Sequence, residues 1–509
     1  MSPVPGGSRH FSEKNTTIFL LLVFSLLLGA GFLIKVFQFQ STGEDFRDGL
    51  LALQLSRGWL ESRPFLYDDY FGYHTKIHNY FFLPLSGVIT LSMGIYGFFL
   101  LYLGLLAILL FEIILWIRNL STQTALFLVS ALFLFVFGPI NFYNYLDFYG
   151  WHAEQYFFPL LTLATFYIAQ DKRIPAAVFL ILALSVKESA PVLVCGILLF
   201  GSVTNILLKN PQKSVVRIIF HRRNIQITLV CFSIFIFGMW WLSHQNGAEK
   251  SRLSQAFIHF CSTSSQGTLS EYIVKTIFFS TFIFTAGYIC SIPILQNFPK
   301  TNLVIFILSG YFFVLNLVFF VEGLYYYPDF RLGIPYPART SGLWTFLTCC
   351  FIFLLIKTVN NNLTINNKAW KYILCSFIFQ LLFYPYIYSY KEFDKPDFQK
   401  LGSRALSFVK NGFGVNPDFT PTEKQLFSLA EKLPKGSEVI VPDQYQNLFQ
   451  RVYSYEWFHK DLILGTPKLY IYEKDKLLKS RDYIIPKKGF TVLPNDHLLI
   501  LADSTWQIK

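Results

Sequence analysis

IYGFFLLYLGLLAILLFEIILWI, residues 95–117, decides the class of this chain. A run of about 20 apolar residues is long enough to cross the hydrocarbon of a bilayer as a helix, and runs of this kind recur from end to end. Hydrophobic residues make up 53% of the chain and charged residues 15%, against roughly 25% charged in a soluble globular protein. An integral membrane protein is therefore expected, with the lipid bilayer as its first partner. The 57 Phe and 29 Tyr would anchor it at the interfaces. The net charge of +12 reads as basic loops facing anionic lipid, and no nucleic-acid partner is expected. Of the seven cysteines, only Cys261 falls outside an apolar run and no CxxC occurs, so these are packing residues rather than a disulfide framework or a thiolate metal site.

Working outward from residues 95–117, the hydropathy pattern predicts about eleven spans: 17–37, 95–117, 123–141, 154–170, 174–187, 190–208, 224–243, 272–292, 303–321, 341–357 and 369–388. The first has a long apolar core with no small-x-small cleavage site after it, so it reads as an uncleaved anchor with residues 1–16 in the cytoplasm. Segment 81–93 is short, carries Pro84 and Gly87, and reads as a half-helix. With the N-terminus inside, the inner loops collect Arg118, Lys172, Arg173, Lys300, Lys357, Lys368 and Lys371. They also hold the basic run Lys209, Lys213, Arg217, Arg222 and Arg223, which contains no acid. The positive-inside rule supports this orientation. It depends on 174–187 and 190–208 being two spans, because a single span there would invert everything after it.

An odd number of spans puts the tail outside the cytoplasm. From about residue 391 to 509, Lys, Asp, Glu and Pro become frequent, and the pattern predicts a small soluble α/β domain. Thr422–Leu433 reads as an amphipathic helix with Leu426, Leu429 and Leu433 on one face. Glu438–Val441, Asp482–Ile485 and His497–Leu501 read as short strands. The expected organisation is a transmembrane domain over 17–390, with an outer loop at 38–94 containing interfacial helices, followed by an extracytoplasmic domain over 391–509.

On this threading the acid–base chemistry gathers on one face of the membrane, where ionisable groups are costly and mark a site. Glu44, Asp45 and Asp48 follow the first span. Phe46, Leu50 and Leu53 then recur at helical spacing, with Trp59 close behind, so a helix lying along the interface is expected. Asp45 and Asp48 would share its first turn, where acids also serve simply as helix caps. The stretch from Tyr67 to Asn79 packs acids, aromatics and two histidines together. His74 and His78 are at i,i+4, the spacing that puts two imidazoles on one helix face. His152 and Glu154 open the fourth span, and the Glu needs a partner such as Lys187 or a cation. Lys187 and Glu188 close the next hairpin, either as a self-contained ion pair or as a phosphate-binding Lys held by acids. Arg331 and Arg339 lie in a later outer gap, where they would clamp a phosphate or snorkel to the interface.

The order of these motifs resembles a known group. Asp45 after span one, Gly72-Tyr73-His74 before a Pro-containing segment, His152-Ala153-Glu154 opening a span, and the Lys187-Glu188 hairpin look like uncharacterised bacterial and archaeal polytopic proteins. That group is assigned to the GT-C glycosyltransferase superfamily. The chain is more distantly similar to protein mannosyltransferases and lipid A aminoarabinose transferases. The resemblance implies a polytopic GT-C-like fold and transfer of a sugar from a polyprenyl-phosphate donor to an envelope lipid, glycan or protein. It maps the catalytic carboxylate to Asp45, with Glu44 and Asp48 beside it. It leaves a divalent metal possible, with Asp45, His152 and Glu154 as candidate ligands. A carboxylate would take the proton of the attacking hydroxyl, and Lys187, Arg331 or Arg339 would stabilise the departing lipid phosphate. Two other classes are weighed: a secondary transporter, for which two related halves and mid-span charges are wanted, and a non-catalytic envelope scaffold. A protease is disfavoured because neither Gly-x-Ser-x-Gly nor His-Glu-x-x-His occurs.

Overall fold

Each expected span coincides with a helix in the computed structural model. That model describes residues 18–33, 47–70, 72–76, 78–117, 122–138, 140–141, 152–245, 268–326, 337–361, 363, 365, 369–389, 419–449, 452–477 and 489–506. The helices are Ile18–Leu33, Tyr96–Ile117, Thr122–Phe137, Phe157–Ala169, Arg173–Leu184, Ala190–Lys209, Arg222–Gln245, Thr268–Leu295, Pro299–Tyr326, Pro337–Asn360 and Ala369–Ser389. Four described segments are long and apolar enough to cross a membrane: Tyr96–Ile117, Ala190–Lys209, Arg222–Leu242 and Gly342–Asn360. The protein is thus a helical protein of membrane character with a small sheet region near its C-terminus. Segment 81–93 forms a 3-10 turn, Leu83–Ser86, and a short helix, Gly87–Met93.

The two helices around the decisive turn are separate. Arg173–Leu184 has 12 residues, about 18 Å of helix, and Ala190–Lys209 begins after a turn closed by Ala190 N–H to the Lys187 carbonyl. Phe157–Ala169 and Arg173–Leu184 form a tight antiparallel pair. Their connection turns at Asp171 (φ 61°), with Lys172 N–H bonded back to the Tyr167 carbonyl at 2.9 Å. That left-handed turn caps the first helix and reverses the chain.

Contacts divide the chain into two compact units. One takes in residues 1–30, 102–147 and 154–395. Its centre is Phe157–Ala169, nearly all of it buried, packed on Arg173–Leu184 and Pro337–Asn360. Polar side chains here return to their own helix: the hydroxyls of Thr162, Thr165, Thr348 and Thr358 donate to carbonyls four residues earlier. Such bonds satisfy a hydroxyl without any partner on another helix.

The other unit joins residues 31–101 and 148–153 to 396–509. In its C-terminal part Thr420 and Glu423 form a reciprocal capping box on helix Pro421–Lys432, which fixes where that helix starts. Leu426, Leu429 and Leu433 are buried as expected. Five strands follow the β1 (Tyr67–Asp68) and β2 (Gly72–Tyr73) hairpin: β3 (Glu438–Ile440), β4 (Tyr453–Tyr455), β5 (Leu469–Glu473), β6 (Phe490–Leu493) and β7 (Leu498–Asp503). The sheet order is β4-β3-β5-β7-β6, parallel at β3–β4 and β3–β5 and antiparallel at β5–β7 and β6–β7. Two expected strands coincide with β3 and β7, whereas Asp482–Ile485 lies outside the described residues. Leu469, Ile471, Leu498 and Ile500 meet the helix in one apolar core.

Candidate functional site

A helix forms over Arg47–Arg57, where an interfacial helix is expected, and most of its described side chains are buried. Leu50 and Leu53 are buried, and so are Gln54, Ser56 and Arg57 on its polar side. It packs against residues 83–93. Ser56 and Thr90 share a hydroxyl hydrogen bond of 2.7 Å, and a Cβ on Gly87 would sit 2.3 Å from the Ser56 carbonyl. Trp59 donates to the Pro84 carbonyl at 3.0 Å.

The chain then folds back through Ser62 and Leu66, both at positive φ, into the β1–β2 hairpin. The hairpin register pairs Asp68 with Gly72, and Gly72 takes the left-handed φ of 72° that closes it. This places His74 beside Asp68. The two side chains, both buried, meet at 2.6 Å through His74 Nδ1 and Asp68 Oδ2. The other Asp68 oxygen accepts the Tyr70 N–H at 2.8 Å. A carboxylate on Nδ1 fixes the imidazole's orientation, and Nε2 is itself buried inside the protein. Tyr80 stacks on the His74 ring at 5.2 Å, and the His78 ring lies 6.1 Å away. The two histidines do come together, on a 3-10 turn (His74–Lys76) and its exit rather than on a regular helix.

Asp69 points elsewhere. Gln54 Nε2 donates to its carboxyl at 2.6 Å, and its own N–H donates to Gln54 Oε1 at 2.9 Å. Burial pushes the Asp69 carboxyl up to about 8, with the Gln54 bond working in the opposite direction. From the C-terminal segment His459 reaches the Tyr70 ring at 4.4 Å, and burial lowers its pKa.

A second cluster joins this segment to the sheet. Arg63 donates to Glu438 at 2.7 Å and to the Tyr455 hydroxyl at 2.8 Å, with its guanidinium 3.2 Å from the Tyr453 ring centre. Glu438 also accepts the N–H groups of Leu464 (3.1 Å) and Gly465 (2.6 Å). The Tyr453 hydroxyl donates to Glu61. Arg57 pairs with Glu61 at 3.3 Å and donates to the Val452 carbonyl at 3.0 Å. The parallel register of β3 and β4 sets Glu438 beside Tyr453, and Tyr455 follows on the same face. Burial raises the pKa of both tyrosines, so they remain neutral donors. With so many mutual partners this cluster acts as a fastening that holds residues 57–63 on the sheet.

In the helical unit Lys187 pairs with Glu154, both largely buried. The tight turn at Asp171 explains the meeting. Helix Phe157–Ala169 leaves from Glu154 and Arg173–Leu184 returns to Lys187, so the two ends coincide. Glu188 lies in the same turn as Lys187, and His152 precedes the 3-10 turn Ala153–Tyr156. Asp48 and Arg339 fall in the first turns of helices Arg47–Arg57 and Pro337–Asn360. Glu44, Asp45 and Arg331 lie outside the described residues. Among the described residues no group of three or more His, Cys, Asp or Glu is placed to hold a metal ion.

The sequence reading missed Asp68 as the partner of His74, and it missed Arg57, Glu61, Arg63, Glu438, Tyr453 and Tyr455 altogether. Arg57 and Glu61 stand at i,i+4, a readable signal. The Arg63–Glu438 pair spans 375 positions and leaves none. Comparison of the chain with family models, with curated proteins and with solved structures finds no match in any of the three.

Proposed function

We propose that the protein is a GT-C-type membrane glycosyltransferase that moves a sugar from a polyprenyl-phosphate donor to an envelope lipid, glycan or protein. In this reading all eleven helices are spans, the chain sits in the inner (cell) membrane with its N-terminus in the cytoplasm, and the C-terminal domain is extracytoplasmic. The observation that best supports it is the buried Asp68–His74 pair, held in a unit built from the segment after the first helix and the C-terminal sheet. An imidazole oriented by a buried carboxylate is an expensive arrangement that fits hydrogen bonding to a polyhydroxy substrate. The same segment follows directly on Glu44 and Asp45, where the resemblance puts the general base.

The division of labour is then as follows. Asp45, with Glu44 and Asp48 as neighbouring acids, takes the proton of the acceptor hydroxyl as it attacks the anomeric carbon. The bond to the lipid phosphate breaks on the opposite face, which inverts the centre. Lys187, Arg331 and Arg339 stabilise the phosphate that leaves. The Glu154 partner holds the Lys187 ammonium in place. His74 and His78 bind the sugar, and Asp68 positions His74.

The test is donor binding and turnover by the full-length protein in nanodiscs, using a panel of polyprenyl-phosphate sugars with and without chelator. Saturable binding of one donor and release or transfer of its sugar, lost in Asp45→Asn, supports the reading. Wild type and variant alike inert toward every donor would sink it in favour of a transporter or scaffold.

A further inference from the structure

We infer that the loop from Lys209 to Arg223 forms a binding site for anionic phospholipid headgroups. The chain contains no Asp or Glu between Glu188 and Glu249, so Lys209, Lys213, Arg217, Arg222 and Arg223 project a field of one sign. The loop joins Ala190–Lys209 to Arg222–Leu242, two helices long and apolar enough to cross a membrane. If those helices are inserted, the loop lies at the level of the headgroups.

Its shape is built rather than loose. Lys213 N–H bonds to the Asn210 carbonyl, and Lys300 Nζ donates to the carbonyls of Pro211 and Lys213. Buried Asn224 donates to the Ile218 carbonyl at 2.7 Å. These bonds fix the short helix Val215–Ile219 with Val215 and Ile218 facing inward and Val216 and Phe220 facing outward. Val216 is 57% exposed and Phe220 69% exposed. Arg217, Arg222 and Arg223, all exposed, stand close to them in the chain, so the same short segment presents apolar and cationic groups to its surroundings.

Water is a poor occupant for such a surface. A free phosphate would satisfy the cations and leave Val216 and Phe220 wet. An anionic lipid satisfies both parts, with its phosphate on the guanidinium groups and its glycerol and upper acyl carbons on the apolar residues. The flanking helix Arg222–Leu242 has only 11% of its apolar window buried inside the protein, so acyl chains would run along it from the same site.

The experiment is native mass spectrometry of the full-length protein released from detergent and titrated with dioleoylphosphatidylglycerol or dioleoylphosphatidylcholine. Wild type is expected to retain phosphatidylglycerol in preference. The triple variant Arg217→Gln/Arg222→Gln/Arg223→Gln should lose that preference by roughly a hundredfold, each charge contributing about fivefold. A charge-matched control, Lys424→Gln/Lys432→Gln/Lys435→Gln in the C-terminal domain, should keep it, and so should Arg→Lys at the three loop positions. Phe220→Ser should weaken retention of both lipids. Unchanged preference in the arginine triple, or an equal loss in the control, would overturn the proposal. Displacement of the lipid by millimolar inorganic phosphate would also overturn it, since the site would then be one for free phosphate.

Discussion

Both units hold some buried polar groups locally and some at long range, the helical unit through Trp344 to the Phe135 carbonyl and Ser376 to the Ala286 carbonyl, but their most telling examples differ. In the helical unit a Thr hydroxyl bonds to a carbonyl four residues back in its own helix, as at Thr162 and Thr348. In the other unit, polar side chains reach across the sequence: Arg57 to the Val452 carbonyl and Arg63 to Glu438, 395 and 375 positions away. Local satisfaction lets a helix be carried by its apolar length alone. Distant satisfaction makes residues 47–80 and the C-terminal sheet depend on each other. The difference teaches that the tail is a structural partner of the segment after the first helix rather than an appendage.

The sharpest way to break that comparison is at Arg63. Arg63→Ala leaves Glu438 buried without its cation, a change that costs about 3–5 kcal/mol. Denaturant unfolding monitored through the C-terminal tryptophans should register it, whereas Thr348→Val in the helical unit should move stability by under about 1 kcal/mol, the net worth of one hydrogen bond.

Asp69 gives a pH signature. Its carboxyl is raised in the folded state to about 8 from an ordinary 3.8, so the fold favours the protonated form. Its contribution is fully present below about pH 4 and is lost progressively as pH rises toward 8, at up to about 1.4 kcal/mol per pH unit. Asp69→Asn should flatten the stability profile over that window. A slope unchanged in the variant would show that Asp69 is not the group responsible.

Gly87 sharpens the packing side of the comparison. A methyl group there meets the Ser56 carbonyl, so Gly87→Ala must push the two helices apart at about 1–3 kcal/mol. Gly436 takes positive φ with open space around it, so Gly436→Ala should show only backbone strain, about 1 kcal/mol.

The smallest effect belongs to the surface. Asp503 is held down at about 2 by the Lys468 ammonium, with help from Thr505. Its contribution is present above about pH 4 and is lost as pH falls through 2. Because the pair is solvated, Asp503→Asn should cost under about 1 kcal/mol at neutral pH, measurable as a shift in the urea midpoint.

How much of this could be read from the sequence follows the same divide. The long described helices of the helical unit are visible because their signal is one-dimensional, a long apolar run ended by charge, whereas the short helix Val215–Ile219 is not. Lys187 is also legible as a partner for Glu154, since a buried acid near a hairpin of the right length implies its cation. Helix Pro421–Lys432 and strands β3 and β7 show their leucines and valines at the right period. Strand β4 does not: Tyr453–Tyr455 is only three residues long and buried on both faces, and its burial comes from β3 and from Arg57 and Arg63. Residues 67–79 stand out in the sequence as chemistry, and the structure brings the rings of His74 and His78 within 6.1 Å of each other. Which of Asp68 and Asp69 holds the imidazole depends on hairpin register, and composition does not reveal register.

The most direct test of the functional account is the initial rate of sugar transfer by His74→Gln and Asp68→Asn in nanodiscs, with the donor that wild type turns over. Each variant must first keep its cooperative unfolding transition. The account predicts that His74→Gln raises KM for the donor and lowers kcat/KM by roughly 10- to 100-fold. Asp68→Asn should do the same through misorientation of His74, with partial recovery in Asp68→Glu. Folded variants that transfer sugar at the wild-type kcat/KM would contradict it.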